Sequence, residues 1–274
     1  MIYLRLAGGL GNQLYQIAAA SLISSSRGEK VVFFAGGLDS YSMPRSADGV
    51  KFVGAKPWIG EVTMGKYKAV RMLSEGFRCG RWLPRFGISD RNYWASLRND
   101  IPRTVFMDGY FQIGWNNQTL AKAIELITDR TEASQFDEEF DFNQVVIHIR
   151  GGDFLLHPEF QVVGFEFYEK AVVMAIKKGY NLFCILSDDH EYAHKLCGHL
   201  MCRFGGKSFS VFKKSNSVFD DFKKLRMAKA RIIGNSTFAW WASALSIEGS
   251  VTWSCTKITR YKSRDYVLEN EIPV

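Results

Sequence analysis

The sequence of 274 residues has few cysteines and no long apolar run, and these absences exclude several classes of protein. The five cysteines are an odd number without the spacing of a zinc site, so we expect free thiols in a reducing compartment. Nowhere do roughly eighteen apolar residues run uninterrupted, so we expect no membrane-spanning helix. Met1 to Arg5 show neither the basic nor the apolar region of a signal peptide, and we expect a cytoplasmic protein.

The composition is that of a globular protein with an excess of positive charge. Hydrophobic residues make up 47% and aromatic residues 14%, enough for a substantial core. The net charge of +7 favours an anionic partner, namely a nucleotide, an acidic membrane surface or nucleic acid. A basic surface that only aids solubility is the alternative. Because the basic residues are scattered and no helix-turn-helix or zinc-finger spacing occurs, we expect no nucleic-acid partner.

Apolar segments of strand and helix length alternate along the chain and predict parallel βαβ units. The predicted strands cover 1–6, 31–34, 105–110, 145–149, 182–186, 208–212, 231–233 and 251–253, and the predicted helices begin near 12 and cover 165–178, 191–196, 220–228 and 237–245. The acidic residues 137–139 are the predicted crossing between an N-terminal domain, 1–137, and a C-terminal domain, 138–274. The last residues are candidates for packing back on the N-terminal domain. The predicted fold class is α/β, with two facing Rossmann-like domains.

The first polar turn, Gly8-Gly9-Leu10-Gly11-Asn12-Gln13, follows the first predicted strand and opens a helix. It is not a dinucleotide fingerprint, because Leu14 stands where the third glycine would be. Its glycines allow close backbone approach, and the helix N-terminus offers N–H groups to an anion or a sugar hydroxyl. A simple glycine turn is the alternative, but the adjacent amides favour a polar ligand.

A second polar turn, His148-Ile-Arg-Gly-Gly-Asp-Phe154, ends an apolar strand. Arg150 offers the planar fork of donors that suits phosphate, and the two glycines let a bulky group approach the main chain. The alternative is an ion pair between Arg150 and Asp153 beside a buried His148. Since ligands of open α/β sheets lie beyond the carboxyl ends of strands, this turn is a candidate site.

Two more polar turns follow strands in the same half of the chain. Ser187-Asp188-Asp189 could bind a metal, accept hydrogen bonds from a guanine edge, or cap the next helix. The turn Gly234-Asn235-Ser236-Thr237 starts a helix, where it caps the helix or binds phosphate, and we expect the following tandem tryptophans in the core. Three such turns predict a single crevice.

Together these stretches resemble the α-1,2-fucosyltransferases of glycosyltransferase family 11, and more loosely the wider α-1,2-, α-1,6- and protein O-fucosyltransferase superfamily. The motifs occur in the family's order across almost the whole chain, and they are Gly8 to Gln13, Gly109-Tyr-Phe-Gln112, His148 to Phe154, Ser187 to Asp189 and Asn235-Ser-Thr-Phe-Ala-Trp-Trp241. The resemblance implies a GT-B-like fold with the acceptor on the N-terminal side and GDP-L-fucose on the C-terminal side. It implies inverting transfer to the 2-hydroxyl of a terminal galactose, without a metal or other cofactor.

The resemblance also implies roles for individual residues. Arg150 would contact the β-phosphate, His148 and Asp188 the guanosine, and Ser236 and Thr237 the phosphates. Asn12 would lie near the fucose and the acceptor, so that Arg150 and Asn12 are the candidate catalytic residues. The remaining candidates are taken from the same turns, with Asp153, Ser187 and Asn235 on the donor side and Gly9 and Gln13 on the acceptor side.

Several points stay open at this stage. The family usually has a second arginine where this chain has Gly151, and the sequence does not identify a replacement. Candidates for a general base are Glu159, His157 and Asp39. The expected acceptor is a bacterial surface glycan such as an O-antigen, or its lipid-linked precursor at the inner, anionic face of the cytoplasmic membrane. Alternatives are another sugar-nucleotide donor, or a basic nucleotide- or nucleic-acid-binding protein without catalysis.

Overall fold

The computed structural model describes residues 1–40, 45–55, 87–97, 105–128, 144–152, 154, 157–160, 163–215 and 217–274. Its contacts divide the chain into two compact units, Met1–Ser134 and Gln135–Val274. The division falls between residues 129 and 143, outside the described ranges, as does the predicted crossing at 137–139. The domain boundary at 137 therefore stays a prediction.

The N-terminal unit is built on a parallel sheet with helices between its strands. Its elements are β1 (Ile2–Arg5), α1 (Leu10–Arg27), β2 (Val31–Phe34), α2 (Asp48–Phe52), β3 (Gly87–Ile88), α3 (Tyr93–Ser96), β4 (Val105–Met107) and α4 (Asn117–Thr128). The described strands take the order β2-β1-β4-β3. Ile2 and Leu4 of β1 are fully buried, as the alternation of the strand predicts. The carboxyl ends of β1 and β4 are adjacent, which brings the turns that follow them together.

The C-terminal unit is a second parallel sheet with Rossmann topology. Its elements are β5 (Val145–Ile149), α5 (Phe165–Lys177), β6 (Leu182–Ser187), α6 (His190–Arg203), β7 (Ser208–Val211), α7 (Val218–Met227), β8 (Ala230–Ile233), α8 (Thr237–Ala244), β9 (Val251–Ser254), β10 (Lys257–Thr259), β11 (Lys262–Ser263) and β12 (Glu271–Pro273). The strand order β12-β9-β8-β5-β6-β7 is the Rossmann order read from the opposite edge. The central strand β5 is buried along its whole length, which explains its continuous run of apolar residues.

The structure confirms the predicted alternation of strands and parallel sheets, and it adds elements that the sequence pattern does not show. Helix α6 is longer than the predicted 191–196, and α4 has no predicted counterpart. The short antiparallel pair β10 and β11 follows β9. The last residues, named above as candidates for packing on the N-terminal domain, form β12 and pair with β9 in the C-terminal sheet.

Two further expectations concern the cysteines and the membrane. Cys184, Cys197, Cys202 and Cys255 are free thiols, and all but Cys202 are buried. Cys79 lies outside the described residues. Over the described ranges, the helices are all too short or too polar to cross a bilayer.

Candidate active site

Polar turns from two adjacent strands meet at one edge of the C-terminal sheet. Because β5 lies between β6 and β8, the direction in which successive strands are added reverses between β5 and β8. Ligands of doubly wound sheets bind at this switch point, beyond the carboxyl ends of the strands. A cavity of about 210 Å³ lies there. Its lining includes His148 and Arg150 at the end of β5, Asn235 and Ser236 after β8, and the rings of Phe154 and Phe160.

The Arg150 guanidinium is oriented by the end of the neighbouring strand. Its Nη1 lies 2.7 Å from Oδ2 of Asp188, which follows β6. The other carboxylate oxygen of Asp188 accepts a hydrogen bond from the Gly151 N–H at 3.0 Å. The guanidinium also lies 5.3 Å from the ring centroid of Phe154. Asp188 is therefore the ion-pair partner of Arg150 and fixes both the side chain and the turn that carries it.

The glycines after Arg150 are required by the close approach of two carboxylates. A Cβ on Gly151 would lie 2.4 Å from Cβ of Asp189, a distance that real Cβ contacts do not reach. Gly152 has φ of +48° and would place a Cβ 2.8 Å from Oδ2 of Asp188. Asp189 is the N-cap of α6, where its Oδ1 accepts from the Tyr192 N–H at 2.9 Å. The acidic turn therefore has the capping role that the sequence left open, and it leaves no room for a side chain at position 151.

His148 is a buried, neutral histidine on the wall of the cavity. It is 5% exposed. Burial, and secondly the positive charge of Arg150, lowers the pKa of His148 to about 3, so the ring is uncharged at physiological pH. Its Nδ1 is buried without a hydrogen-bond partner among the described residues. A polar ligand group in the cavity would satisfy this nitrogen, since buried polar atoms are normally hydrogen-bonded.

The turn after β8 caps helix α8 and also lines the cavity. Ser236 is the N-cap of α8, and its Oγ accepts from the Ala239 N–H at 3.5 Å. Thr237 begins the helix, so the N-terminus of α8 lies at the edge of the cavity. Nδ2 of Asn235 donates to the main-chain oxygens of Phe160 at 3.0 Å and of Ile258 at 3.1 Å. Asn235 therefore clamps the cavity wall to the segment that follows β9, a role that the sequence did not show.

The other candidates of this unit lie around the same cavity. Oγ of Ser187 accepts from the Asp189 N–H at 3.0 Å and so stabilises the acidic turn. His157 and Glu159, candidate bases, are 3.6 Å apart on a half-exposed turn that leads to Phe160. Asp153 lies outside the described residues, so its predicted contact with the donor stays a prediction. The tandem tryptophans, Trp240 and Trp241, are buried as predicted.

In the N-terminal unit, the turn after β1 is fixed by internal hydrogen bonds. Gln13 is fully buried, and its Nε2 donates to the oxygens of Gly8 at 2.9 Å and Ser46 at 2.8 Å. Its Oε1 accepts from the Gly49 N–H at 2.8 Å. The amide of Gln13 thus ties the turn to α2 and has an internal, structural role. Gly9 is the N-cap residue of α1 and is half-buried.

Asn12 of the same turn contacts a residue that sequence reasoning left without a role. Its Oδ1 accepts from Nε2 of Gln112 at 3.0 Å. Gln112 follows Phe111, which is the one non-glycine residue with positive φ in the described part of the chain, at 53°. The Asp90 carboxylate holds this conformation by accepting from the main-chain N–H groups of Tyr110 and Phe111. Strained backbone of this kind persists where surrounding contacts over-determine it, and it concentrates at functional sites.

Comparison with known families agrees with this geometry. The sequence profile described as "Glycosyl transferase family 11" matches residues 91–266, which is more than half of the chain. The chain belongs to glycosyl transferase family 11. The match includes each polar turn of the C-terminal unit, whereas residues 8–13 of this family 11 protein lie outside it. The resemblance inferred from the motifs is thereby confirmed.

One curated relative bears on the class of enzyme, and two solved structures bear on the fold. An α-1,2-colitosyltransferase of Escherichia coli is 26% identical over 266 residues, covering 89% of this chain and 87% of that protein. The fucosyltransferase NodZ from Bradyrhizobium has a TM-score of 0.50 at 13% identity, covering 89% of this chain and 93% of NodZ. Arabidopsis thaliana FUT1, a mutant in complex with GDP, has a TM-score of 0.52 at 12% identity, covering 92% of this chain and 69% of FUT1. This family 11 chain is a fucosyltransferase-type glycosyltransferase with the predicted GT-B-like α/β fold.

Proposed function

We propose that this family 11 enzyme transfers L-fucose from GDP-L-fucose to the 2-hydroxyl of a terminal galactose. The observation that carries the proposal is the cavity at the switch point of the C-terminal sheet. It combines the fork of Arg150, oriented by Asp188 at 2.7 Å, with the N-terminus of α8. Both features bind phosphate oxygens, so the cavity suits the diphosphate end of a nucleotide.

The reaction follows from where charge develops. The bond between the anomeric carbon of fucose and the β-phosphate oxygen breaks, and the electron pair leaves on the diphosphate. Arg150 and the α8 N-terminus are fixed hydrogen-bond donors that stabilise this charge. Such electrostatic stabilisation of the transition state is the largest contribution to the rate enhancement of many enzymes. The galactose 2-hydroxyl oxygen attacks the opposite face of the sugar, inverting the anomeric centre, and its proton leaves to a base. His157, Glu159 and Asp39 stay candidates for this base, and Asn12 for the group that positions the acceptor.

A second donor is favoured by one specific observation. The Escherichia coli relative carries the name of a colitosyltransferase. Colitose is the 3-deoxy analogue of L-fucose, so one nucleotide site can serve both donors. An enzyme that hydrogen-bonds the fucose 3-hydroxyl would reject GDP-colitose strongly, because its buried polar groups would be left unpaired. The ratio of kcat/KM values for the two donors therefore separates these functions.

The acceptor that we propose is a galactose-terminated glycan of a bacterial surface polysaccharide, such as an O-antigen, or its lipid-linked precursor. The support for it is the family and the positive net charge of +7, which favours approach to an anionic membrane. The cytoplasmic location and the membrane contact stay predictions, as does the absence of a metal requirement.

The test is release of GDP from GDP-L-fucose in the presence of lactose, N-acetyllactosamine or galactosyl-β-1,3-N-acetylgalactosamine, with and without EDTA. Arg150→Ala should lower kcat about 10²–10³-fold, the cost of removing one donor to a developing oxyanion. Arg150→Lys should restore only part of the rate, because a lysine keeps the charge and loses the fork. Arg203→Ala, which removes an exposed arginine at the far end of α6, is the matched control.

The outcomes separate the parts of the proposal. Acceptor-dependent GDP release that survives EDTA and collapses in Arg150→Ala supports a metal-independent transferase. Loss of activity with EDTA that returns with Mg²⁺ or Mn²⁺ would contradict metal independence. If the folded protein binds GDP but turns over none of the acceptors, the acceptor is wrong. If it binds no GDP, the donor assignment itself is wrong.

A further inference from the structure

The described residues of the turns after β5 and β6 carry more negative than positive charge. Arg150 is the cation among the described lining residues, because His148 is neutral at physiological pH. Asp188 pairs with Arg150, and the second carboxylate, on Asp189, lies 3.4 Å from the Gly152 N–H. The described residues of these turns therefore carry one positive charge and two negative charges. A further cation would stabilise a departing diphosphate, because fixed positive groups stabilise the charge that develops on it.

A basic hairpin follows β9 beside the cavity. We define the basic hairpin as residues 257–263, which include the antiparallel strands β10 and β11. Its cationic residues, Lys257, Arg260 and Lys262, are all exposed. The hairpin follows the carboxyl end of β9, and β9 is the neighbour of β8, whose end forms the cavity. Additional positive charge therefore stands at the same edge of the sheet.

Two hydrogen bonds attach the basic hairpin to the wall of the cavity. The Asn235 amide donates to the oxygens of Phe160 and Ile258, at 3.0 Å and 3.1 Å, and so joins a lining residue to the hairpin. The Arg260 N–H donates to the oxygen of Glu159 at 2.9 Å, one residue before Phe160. Arg260 is thus held by its main chain next to the cavity wall, while its long side chain is exposed.

Arg260 is the arginine of this segment that has a guanidinium available for a ligand. The guanidinium of the nearby Arg264 is already bound within the protein, since it pairs with Glu271 and donates to the main-chain oxygens of Cys255 and Tyr266. Arg260, in contrast, makes no side-chain hydrogen bond or ion pair with any residue that the structure describes. An arginine fork without a partner among the described residues, beside a cavity whose described lining has one other cation, is suited to phosphate.

We propose that Arg260 is a donor-binding residue that contacts the diphosphate of the sugar nucleotide from the basic hairpin. The inference rests on the proposed function, because it requires a nucleoside diphosphate in the cavity. The hydrogen bonds of the Asn235 amide would then have a functional role, since they hold the hairpin, and with it Arg260, against the cavity wall.

The experiment measures the affinity of the full chain for GDP and for guanosine by titration calorimetry. Arg260→Ala should weaken GDP binding at least about tenfold, the effect of losing one hydrogen bond to a charged group. Guanosine, which has no phosphate, should bind wild type and variant equally. Arg203→Ala makes the same change of charge on an exposed arginine at the far end of α6, and it should leave both affinities unchanged. The Tm of each variant shows whether it is folded.

Three results would overturn the inference. Equal GDP affinity in wild type and Arg260→Ala, with equal binding to anionic vesicles, would remove Arg260 from the donor site. An equal loss for GDP and guanosine would show a disturbed cavity instead of a lost phosphate contact. Unchanged GDP affinity with weaker binding to vesicles of phosphatidylglycerol and phosphatidylcholine would assign the hairpin, with its 85% exposed Tyr261, to a membrane surface. If wild type binds no GDP, the proposed function fails as well, and this result differs from the other three.

Discussion

The buried His148 predicts a specific dependence of stability on acid. Its pKa is about 3 in the folded protein against 6.5 for the free side chain, chiefly because of burial. Between these two values the unfolded chain binds a proton that the folded chain does not bind. Stability therefore falls as the pH falls from about 6.5 toward about 3, and the loss is complete below the folded pKa. Replacing His148 with a side chain that does not titrate should remove this part of the acid sensitivity.

The magnitude follows from the two pKa values. At about pH 4.5, which is two units below the unfolded pKa, protonation of His148 in the unfolded chain should lower the unfolding free energy by roughly 2–3 kcal/mol relative to neutral pH. His148→Asn keeps a polar side chain of smaller size and has no proton to bind in this range. Its stability at neutral pH should be lower, because the cavity wall loses packing. The difference in unfolding free energy between wild type and variant should nevertheless shrink by roughly 2–3 kcal/mol on going to about pH 4.5.

The assay is urea unfolding without nucleotide at several pH values between about 7 and 4.5, followed by circular dichroism. Each curve gives a free energy of unfolding, and the quantity compared is its change with pH. His194→Asn makes the same substitution at an exposed histidine of α6 and should keep the dependence of the wild type. Parallel pH profiles for wild type and His148→Asn would refute the reasoning, because they would show that the ring is protonated, or solvated, in the folded protein.

Two further predictions concern the turns. Gln112→Ala should raise the acceptor KM several-fold and leave the GDP affinity unchanged, because Asn12 loses the hydrogen bond of 3.0 Å that orients it. A double-mutant cycle with Asn12→Ala should show that the two substitutions are coupled. Additive effects on KM would contradict the contact between the two side chains. Gly151→Ala should lower the unfolding free energy by about 1–3 kcal/mol, because its Cβ would meet Asp189 at 2.4 Å. Gly205→Ala, with open space around it, is the control, and equal Tm values for the two variants would refute the steric argument.

The fold was largely predictable because its signals are local. The continuous apolar run of β5 and the β-branched pair of β2 identify strands by composition, and each of the polar turns follows a strand directly in sequence. Parallel pairing then follows from the helices that lie between the strands. The same locality explains why His148, Arg150 and Ser236 line one cavity, since strand ends converge at the switch point.

What could not be predicted depends on partners that are distant in sequence. The ion pair of Arg150 with Asp188 joins the turns after two strands, whereas the sequence offered Asp153, which lies outside the described residues, as the alternative partner. Asn235 looked like a phosphate ligand by position, but its amide clamps Phe160 and Ile258. The basic hairpin has no apolar periodicity, so neither its strands nor its attachment to the cavity wall could be predicted from the sequence.

The side chains beyond the strand ends differ between the two units. In the C-terminal unit the turns that meet there carry Arg150, Asp188 and Asp189, so the site is built of charges and suits an ionic group. In the N-terminal unit the amides of Asn12 and Gln112 meet beyond the ends of β1 and β4, where Arg5 and Asp108 also form an ion pair of 3.0 Å. Amides donate and accept without charge, as the hydroxyls of a neutral saccharide require. The pair of amides is the observation that supports our proposal of a saccharide at the N-terminal unit.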